Sequence, residues 1–338
     1  MSKRNVLASV IAAAGMLILI LDSKNVLLGA SEGLNLCIAT LIPSLFPFIM
    51  LSIFLTSSLA GQALPVLRPL TALCRVPKGT ESLLAVSFLG GYPIGAQNTA
   101  QLYRHGMLSK EQAARMIAFC NNAGPAFIFG YLGSAFSAPY TPWLIWLIQI
   151  IGAICVGMLL PGTKQGFPIQ TQSQQMSLTK ALEQALRIMA QICGWVIVMR
   201  IVITVLEHWF LRCLPDTLKI VLYGILELSN GCIFLHEIGN ESLRFVITSG
   251  LLSLGGICVS LQTVSVAGGI PMRLYCLGKM LHCCISVSIS CLLVPLLYPY
   301  APSNRLLIVS CFTVIGAFCL LLIHFFEKKS GNSAAVGV

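Results

Sequence analysis

The chain has 338 residues, of which 57% are hydrophobic and only 9% charged, and its mean hydropathy is +0.87. That composition excludes an ordinary soluble domain and marks a protein built for lipid. The net charge of +10 reads as basic loops held on the cytoplasmic side, not as a nucleic-acid surface, because no basic face is clustered along the sequence.

Lys3-Arg4 followed by Val6 to Leu21 predicts a first crossing with its N-terminus inside. A signal peptide shares the charged start and apolar core, but no small-x-small cleavage site follows promptly, so a retained helix is expected. Residues 1–29 form this unit. Ala30 to Ser58 is a second long apolar run, interrupted by Pro43 and Pro47 in Ile42-Pro43-Ser44-Leu45-Phe46-Pro47-Phe48, which predicts a kink or break. Leu64 to Thr80 carries Arg68, Arg75, Lys78 and three prolines, and is expected to lie at the cytoplasmic interface. Glu81 to Phe88 and Ile94 to Tyr103 flank Gly90-Gly91, and each is too short to cross alone, since crossing takes roughly 17–25 residues. A re-entrant hairpin is the expectation there.

Ser109-Lys110-Glu111-Gln112 is a helix start with Ser109 as cap. That helix runs into Asn121-Asn122-Ala123-Gly124-Pro125, a costly string at apolar depth unless its amides meet a partner. Trp143 to Leu160 crosses, and the Gly-, Gln- and Ser-rich stretch 161–180 reads as a linker. The second half, 181–326, is expected to replay the first, 30–160. Leu254-Gly255-Gly256 through Gln262 aligns without a gap on Leu89-Gly90-Gly91 through Gln97. Leu274 to Leu297 and Leu306 to Phe326 are expected as the last crossings, before a tail at 327–338.

The fold expected is therefore all-α and polytopic, with two internal, inverted repeats that each contain a re-entrant helical hairpin. One conflict stands. Thr217 to Leu235 is long enough to span by itself, and if it does the repeats become parallel.

Broken backbone at membrane depth has to line a protein cavity, because lipid leaves its N–H and C=O groups unsatisfied. Paired breaks in two halves point to a solute site between them. The expected binding residues are Gly90, Gly91, Gln97, Asn98, Asn121 and Asn122 in one half and Gly255, Gly256, Ser260 and Gln262 in the other. Gln97, Asn98, Asn121, Asn122, Ser260, Gln262 and also Thr263 are the uncharged hydrogen-bonding groups beside these breaks, and they could instead bond frayed backbone or one another. Arg200, within an apolar run, and Lys279, expected a turn and a half into a crossing and able to snorkel, add positive charge. Pairing of these charges with Glu227 or with backbone carbonyls is the competing reading. No catalytic residues, metal site or cofactor are expected. The five histidines are scattered, no Cys-x-x-Cys occurs, and most of the fourteen cysteines fall in apolar runs as small packing residues.

Leu89 to Gln97, Leu102-Tyr103-Arg104-His105-Gly106, Glu111-Gln112-Ala113-Ala114-Arg115 and Phe119 to Gly130 together resemble the YlbJ-type sporulation integral membrane proteins. These belong to a wider group with a nucleoside-recognition gate domain. The resemblance implies a multi-pass protein in the forespore or mother-cell membrane of a spore-former, tied to movement of dipicolinate. It also implies kinship with concentrative nucleoside transporters. The function expected is transport of a small anionic or acceptor-rich solute, dipicolinate first. The alternatives are a nucleoside or related heterocycle, or a non-transporting membrane assembly protein of sporulation. The expected partners are that small molecule and the lipid bilayer, with no nucleic acid; the oligomeric state stays open.

Overall fold

A computed structural model describes residues 3–59, 64–162 and 177–299, and every regular element among them is helical. Helix α1 (Lys3–Leu21) gives way at Asp22 to α2 (Ser23–Leu36). A π-helical turn at Cys37–Leu41 joins α2 to α3 (Ile42–Leu59), which keeps Pro47 inside it. The widened turn just before Pro43 and Pro47 is where the ladder loses its proline donors, so the expected interruption is a π bulge inside one long crossing. The boundary expected at residues 29 and 30 falls within α2.

The short α4 (Arg68–Leu73) precedes α5 (Glu81–Gly90) and α6 (Ile94–Arg104), which fold back on each other. Gly91, at φ +74°, makes the turn in a region that only glycine enters cheaply. Helix α7 (Lys110–Cys120) begins with a full capping box between Ser109 and Gln112 and stops at Asn121; a π-helical turn at Ala126–Tyr131 resumes its course. Helix α8 (Thr141–Leu159) follows. Helix α9 (Leu178–Leu206) starts inside the stretch expected as linker, of which 163–176 lie outside the described residues. At 29 residues and about 1.5 Å of rise each, α9 is longer than the hydrocarbon core. It packs along α2 at very close range: a Cβ on Gly29 would meet the Ile201 Cα at 2.9 Å, and one on Gly33 the Ile197 Cα at 2.9 Å. Small residues one turn apart let the two backbones approach, as membrane helix pairs require.

Residues 217–235 do not span as one helix. They divide into α10 (Asp216–Leu226) and α11 (Leu228–Cys232), with Glu227 extended between them. The two arms fold back, and a side chain on Gly231 would run into the Gly224 backbone. The reverse correction applies further on. At Gly255-Gly256 a hairpin is expected, but α12 (Glu241–Leu254) and α13 (Gly256–Ala267) continue in sequence instead of folding back. Helix α12 packs on α14 (Arg273–Leu297) while α13 packs on α6. With α14 holding the first arm and α6 the second, the helix runs on instead of doubling back, and two left-handed glycines produce a kink between the arms. Gly90-Gly91 and Gly255-Gly256 thus align in sequence yet serve different geometries.

The elements share two ends. At one, Arg115 ties Cys74 and Arg75 to the end of α8, and Gly268 approaches the Arg104 guanidinium at the end of α6. At the other, Ser137 bonds Glu241, Arg244 bonds the Ala135 carbonyl, and Phe245 packs on Tyr298. Both arms of α5–α6 open to the first end. Five helical stretches among the described residues are long and apolar enough to cross a membrane: 23–59, 141–159, 178–211, 241–267 and 273–297. The stretch 241–267 is the most buried of them and forms the inner wall of the bundle. The crossing expected at 306–326 and the tail at 327–338 lie outside the described residues.

Candidate functional site

Four interruptions meet inside the bundle. The α5–α6 turn lies on the gap after α7, where a Cβ on Gly91 would fall 2.7 Å from the Gly124 nitrogen. The α10–α11 turn lies on the kink between α12 and α13, where a Cβ on Gly256 would fall 2.8 Å from the Gly224 carbonyl oxygen and 3.0 Å from that of Ile225. Each hairpin tip therefore rests on a broken helix, glycine against glycine, because only bare backbone fits there.

The polar groups around the first pair form a chain across the two halves. Asn121, fully buried, donates through Nδ2 to the Thr263 hydroxyl on α13 at 2.8 Å. Thr263 in turn donates to the Val259 carbonyl at 2.7 Å and lies 3.4 Å from the Tyr275 hydroxyl. Asn122 donates to the Phe119 carbonyl at 2.6 Å, a bond that closes the frayed end of α7. Its Oδ1 accepts from the Lys279 ammonium at 3.4 Å, which also lies 5.5 Å from the centre of the Tyr92 ring, a cation–π position. The Tyr92 hydroxyl donates to the Leu252 carbonyl at 3.3 Å, and its ring edge faces Gly255.

Lys279 does not snorkel. It is 3% exposed, because α14 turns this face toward α7 and α12, and among the described residues no carboxylate forms an ion pair with it. Burying an ammonium without a counter-charge is costly, and the Asn122 oxygen with the Tyr92 ring offsets only part of that cost.

Arg200 lies elsewhere. It is six residues from the end of α9, and it clasps Glu32 on α2 with Nε at 3.0 Å and Nη2 at 2.8 Å, its guanidinium 5.0 Å from the centre of the Phe234 ring. Its partner is thus Glu32 and not Glu227, and the pair serves the α2–α9 contact. Ser260 donates to the Gly256 carbonyl at 3.0 Å and Gln262 bonds the Cys258 sulfur at 3.4 Å, both within α13. Gln97 is half-buried on α6. Asn98 Nδ2 is enclosed without a partner.

Of the residues expected at a site, the structure joins Gly91, Asn121, Asn122 and Lys279 directly, brings Gly255 against Tyr92, and sets Arg200 apart. Thr263, expected among the polar groups beside the second break, is the partner of Asn121, whereas sequence reasoning missed Tyr92 and Tyr275. Tyr92 sits beside the glycine pair, and that position was its one signal; Tyr275 had none, because its place near Thr263 comes from the packing of α14.

A stretch of 112 residues, 32% of the chain, is 35% identical to the sporulation integral membrane protein YlbJ of Bacillus subtilis (strain 168) and covers 27% of that protein's length. No family model and no solved structure matches the chain. The chain is a membrane protein, all-helical in its regular elements among the described residues, with a sporulation integral membrane protein among its relatives.

Proposed function

We propose that this protein moves a small anionic, acceptor-rich solute across the membrane, binding it where the α5–α6 turn, the α7 gap and the α12–α13 kink meet. The observation that carries this reading is Lys279, an ammonium buried on a crossing helix with an amide oxygen and an aromatic face beside it and, among the described residues, no carboxylate partner. Such a charge is stabilised by an arriving anion. The Asn121–Thr263–Tyr275 chain would supply neutral hydrogen bonds next to it. An aromatic dicarboxylate such as dipicolinate fits both chemistries, and the sporulation relative makes it the first solute to test.

The fold supports transport in a second way. Helices α5 and α6 return to the end they came from, and α10 and α11 do the same from the other end, each tip lying on a helix interrupted within its own half. Two such assemblies facing in opposite directions are the plan on which alternating access is built. In this arrangement α10–α11, not the Gly255-Gly256 kink, is the inverted counterpart of α5–α6. A second reading, a nucleoside-like heterocycle, draws on the neutral Asn121, Thr263 and Tyr275 groups and the half-buried ring of Tyr92.

The test is uptake of labelled dipicolinate into proteoliposomes holding the purified protein. Saturable uptake, competed by other aromatic dicarboxylates and weakened in Lys279→Met, is expected. No uptake above empty vesicles, together with unchanged dipicolinate content in spores of a deletion strain, would remove dipicolinate and leave the heterocycle reading to be tried in the same assay.

A further inference from the structure

The tip of the α10–α11 hairpin holds a buried carboxylate that the solute site does not use. Glu227 is 4% exposed and its Oε2 accepts from the Asn230 N–H at 2.7 Å and from Asn230 Nδ2 at 3.0 Å. Ser229 donates to the same carboxylate. These bonds hold the side chain in place but bring no positive charge. The ionisable groups around it are the phenols of Tyr92 and Tyr131 and the thiols of Cys37, Cys232 and Cys258, contributed by five different segments. All of these are ordinarily neutral near pH 7. Among the described residues Glu227 forms no ion pair.

The oxygens beside it are short of donors. Asn230 is fully buried, its Nδ2 is spent on Glu227 and on the Val196 carbonyl at 3.2 Å, and its Oδ1 has no partner. The break at Glu227 ends α10, so Gly224 and Ile225 lose the N–H groups that a continuing helix would have offered their carbonyls. Both carbonyls face the bare backbone of Gly256. They are the negative end of the α10 dipole.

We infer that the α10–α11 tip binds a small monovalent metal cation, sodium first, through the Glu227 carboxylate, Asn230 Oδ1 and the free carbonyls that end α10. A hard cation takes several oxygens at once, and a carboxylate beside the C-terminal carbonyls of a half-helix is oxygen chemistry of that kind. A proton is the weaker candidate, because one O–H satisfies a single acceptor and leaves the others bare. The cation would tie the hairpin tip to the α12–α13 kink, within reach of Tyr92 and so of the solute site. Its naming as the coupling ion rests on the transport reading; its binding does not.

The experiment is thermal unfolding of the purified full chain in sodium, lithium, potassium and choline chlorides at equal ionic strength, paired with equilibrium binding of labelled sodium. Sodium should raise the midpoint of the parent by about 2–4 °C over choline. Glu227→Gln should lose the shift, and Asn230→Ala, which keeps the carboxylate, should weaken sodium binding at least about tenfold. Lys279→Met should keep the shift, since it touches the solute site alone. No sodium-specific shift or binding in the parent, a shift that survives Glu227→Gln, or stabilisation that follows pH and ignores sodium would each overturn the assignment. Sodium binding without solute uptake would instead count against transport and leave the cation site standing.

Discussion

Replacing Lys279 with methionine keeps the length and bulk of the side chain and deletes its charge. In the empty protein the ammonium has one long hydrogen bond, 3.4 Å to Asn122 Oδ1, and the Tyr92 ring 5.5 Å away. Removing it forfeits little and relieves the desolvation of an unpaired cation, so the unliganded variant should unfold at the same temperature as the parent or above it. With an anion bound the balance reverses. A charge-assisted hydrogen bond is worth about 1.5–3 kcal/mol net, and since about 1.4 kcal/mol is tenfold, the dissociation constant for dipicolinate should rise roughly 10- to 150-fold. Calorimetric titration of the purified variant measures this directly, with the thermal midpoint as control for folding. An affinity within about twofold of the parent, in a variant that unfolds normally, would refute the assignment of Lys279 to the solute. A merely structural lysine would give the opposite pattern, with stability lost and affinity kept.

Arg200→Met and Glu32→Gln should each destabilise the protein by about 1–2 kcal/mol, a range set by a half-exposed pair, and the double variant should cost less than their sum; dipicolinate affinity should not move. Additive effects in a denaturation series would mean that the pair does not clasp α2 to α9. Asn121→Leu breaks the 2.8 Å bond to Thr263 and should weaken solute binding roughly tenfold or less, by about 0.5–1.5 kcal/mol, while the protein still accumulates in the membrane; unchanged uptake kinetics would return Asn121 to a purely structural role. Gly91→Ala places a Cβ at φ +74° against the Gly124 backbone, at a strain of about 1–3 kcal/mol. The yield of monodisperse protein from the membrane should fall, and a variant of full yield and activity would show that the two turns do not need to touch.

Taken alone, the sequence determined what acts over short range. Hydropathy fixed the membrane setting, Ser109 marked the start of α7, the Gly90-Gly91 pair marked a turn, and Asn121 to Pro125 marked a break. Each of these follows from a few adjacent residues and the chemistry of lipid or backbone. What sequence could not decide was the direction taken after a break. Gly90-Gly91 and Gly255-Gly256 look alike as strings, yet α5 returns along α6 while α12 runs on toward α13, because α14 and α6 hold the second pair apart. Residues 217–235 have the apolar length of a crossing, and they fold back because Gly224 meets Gly231 and Glu227 finds its donors in Ser229 and Asn230. The partners of the charged residues were equally out of reach. Glu32 and Arg200 are far apart in the chain, and only the close packing of α2 on α9 at Gly29 and Gly33 joins them. Among the described residues Lys279 has no such partner, because the helices that bury it bring an amide, a ring and backbone to its face, and no carboxylate.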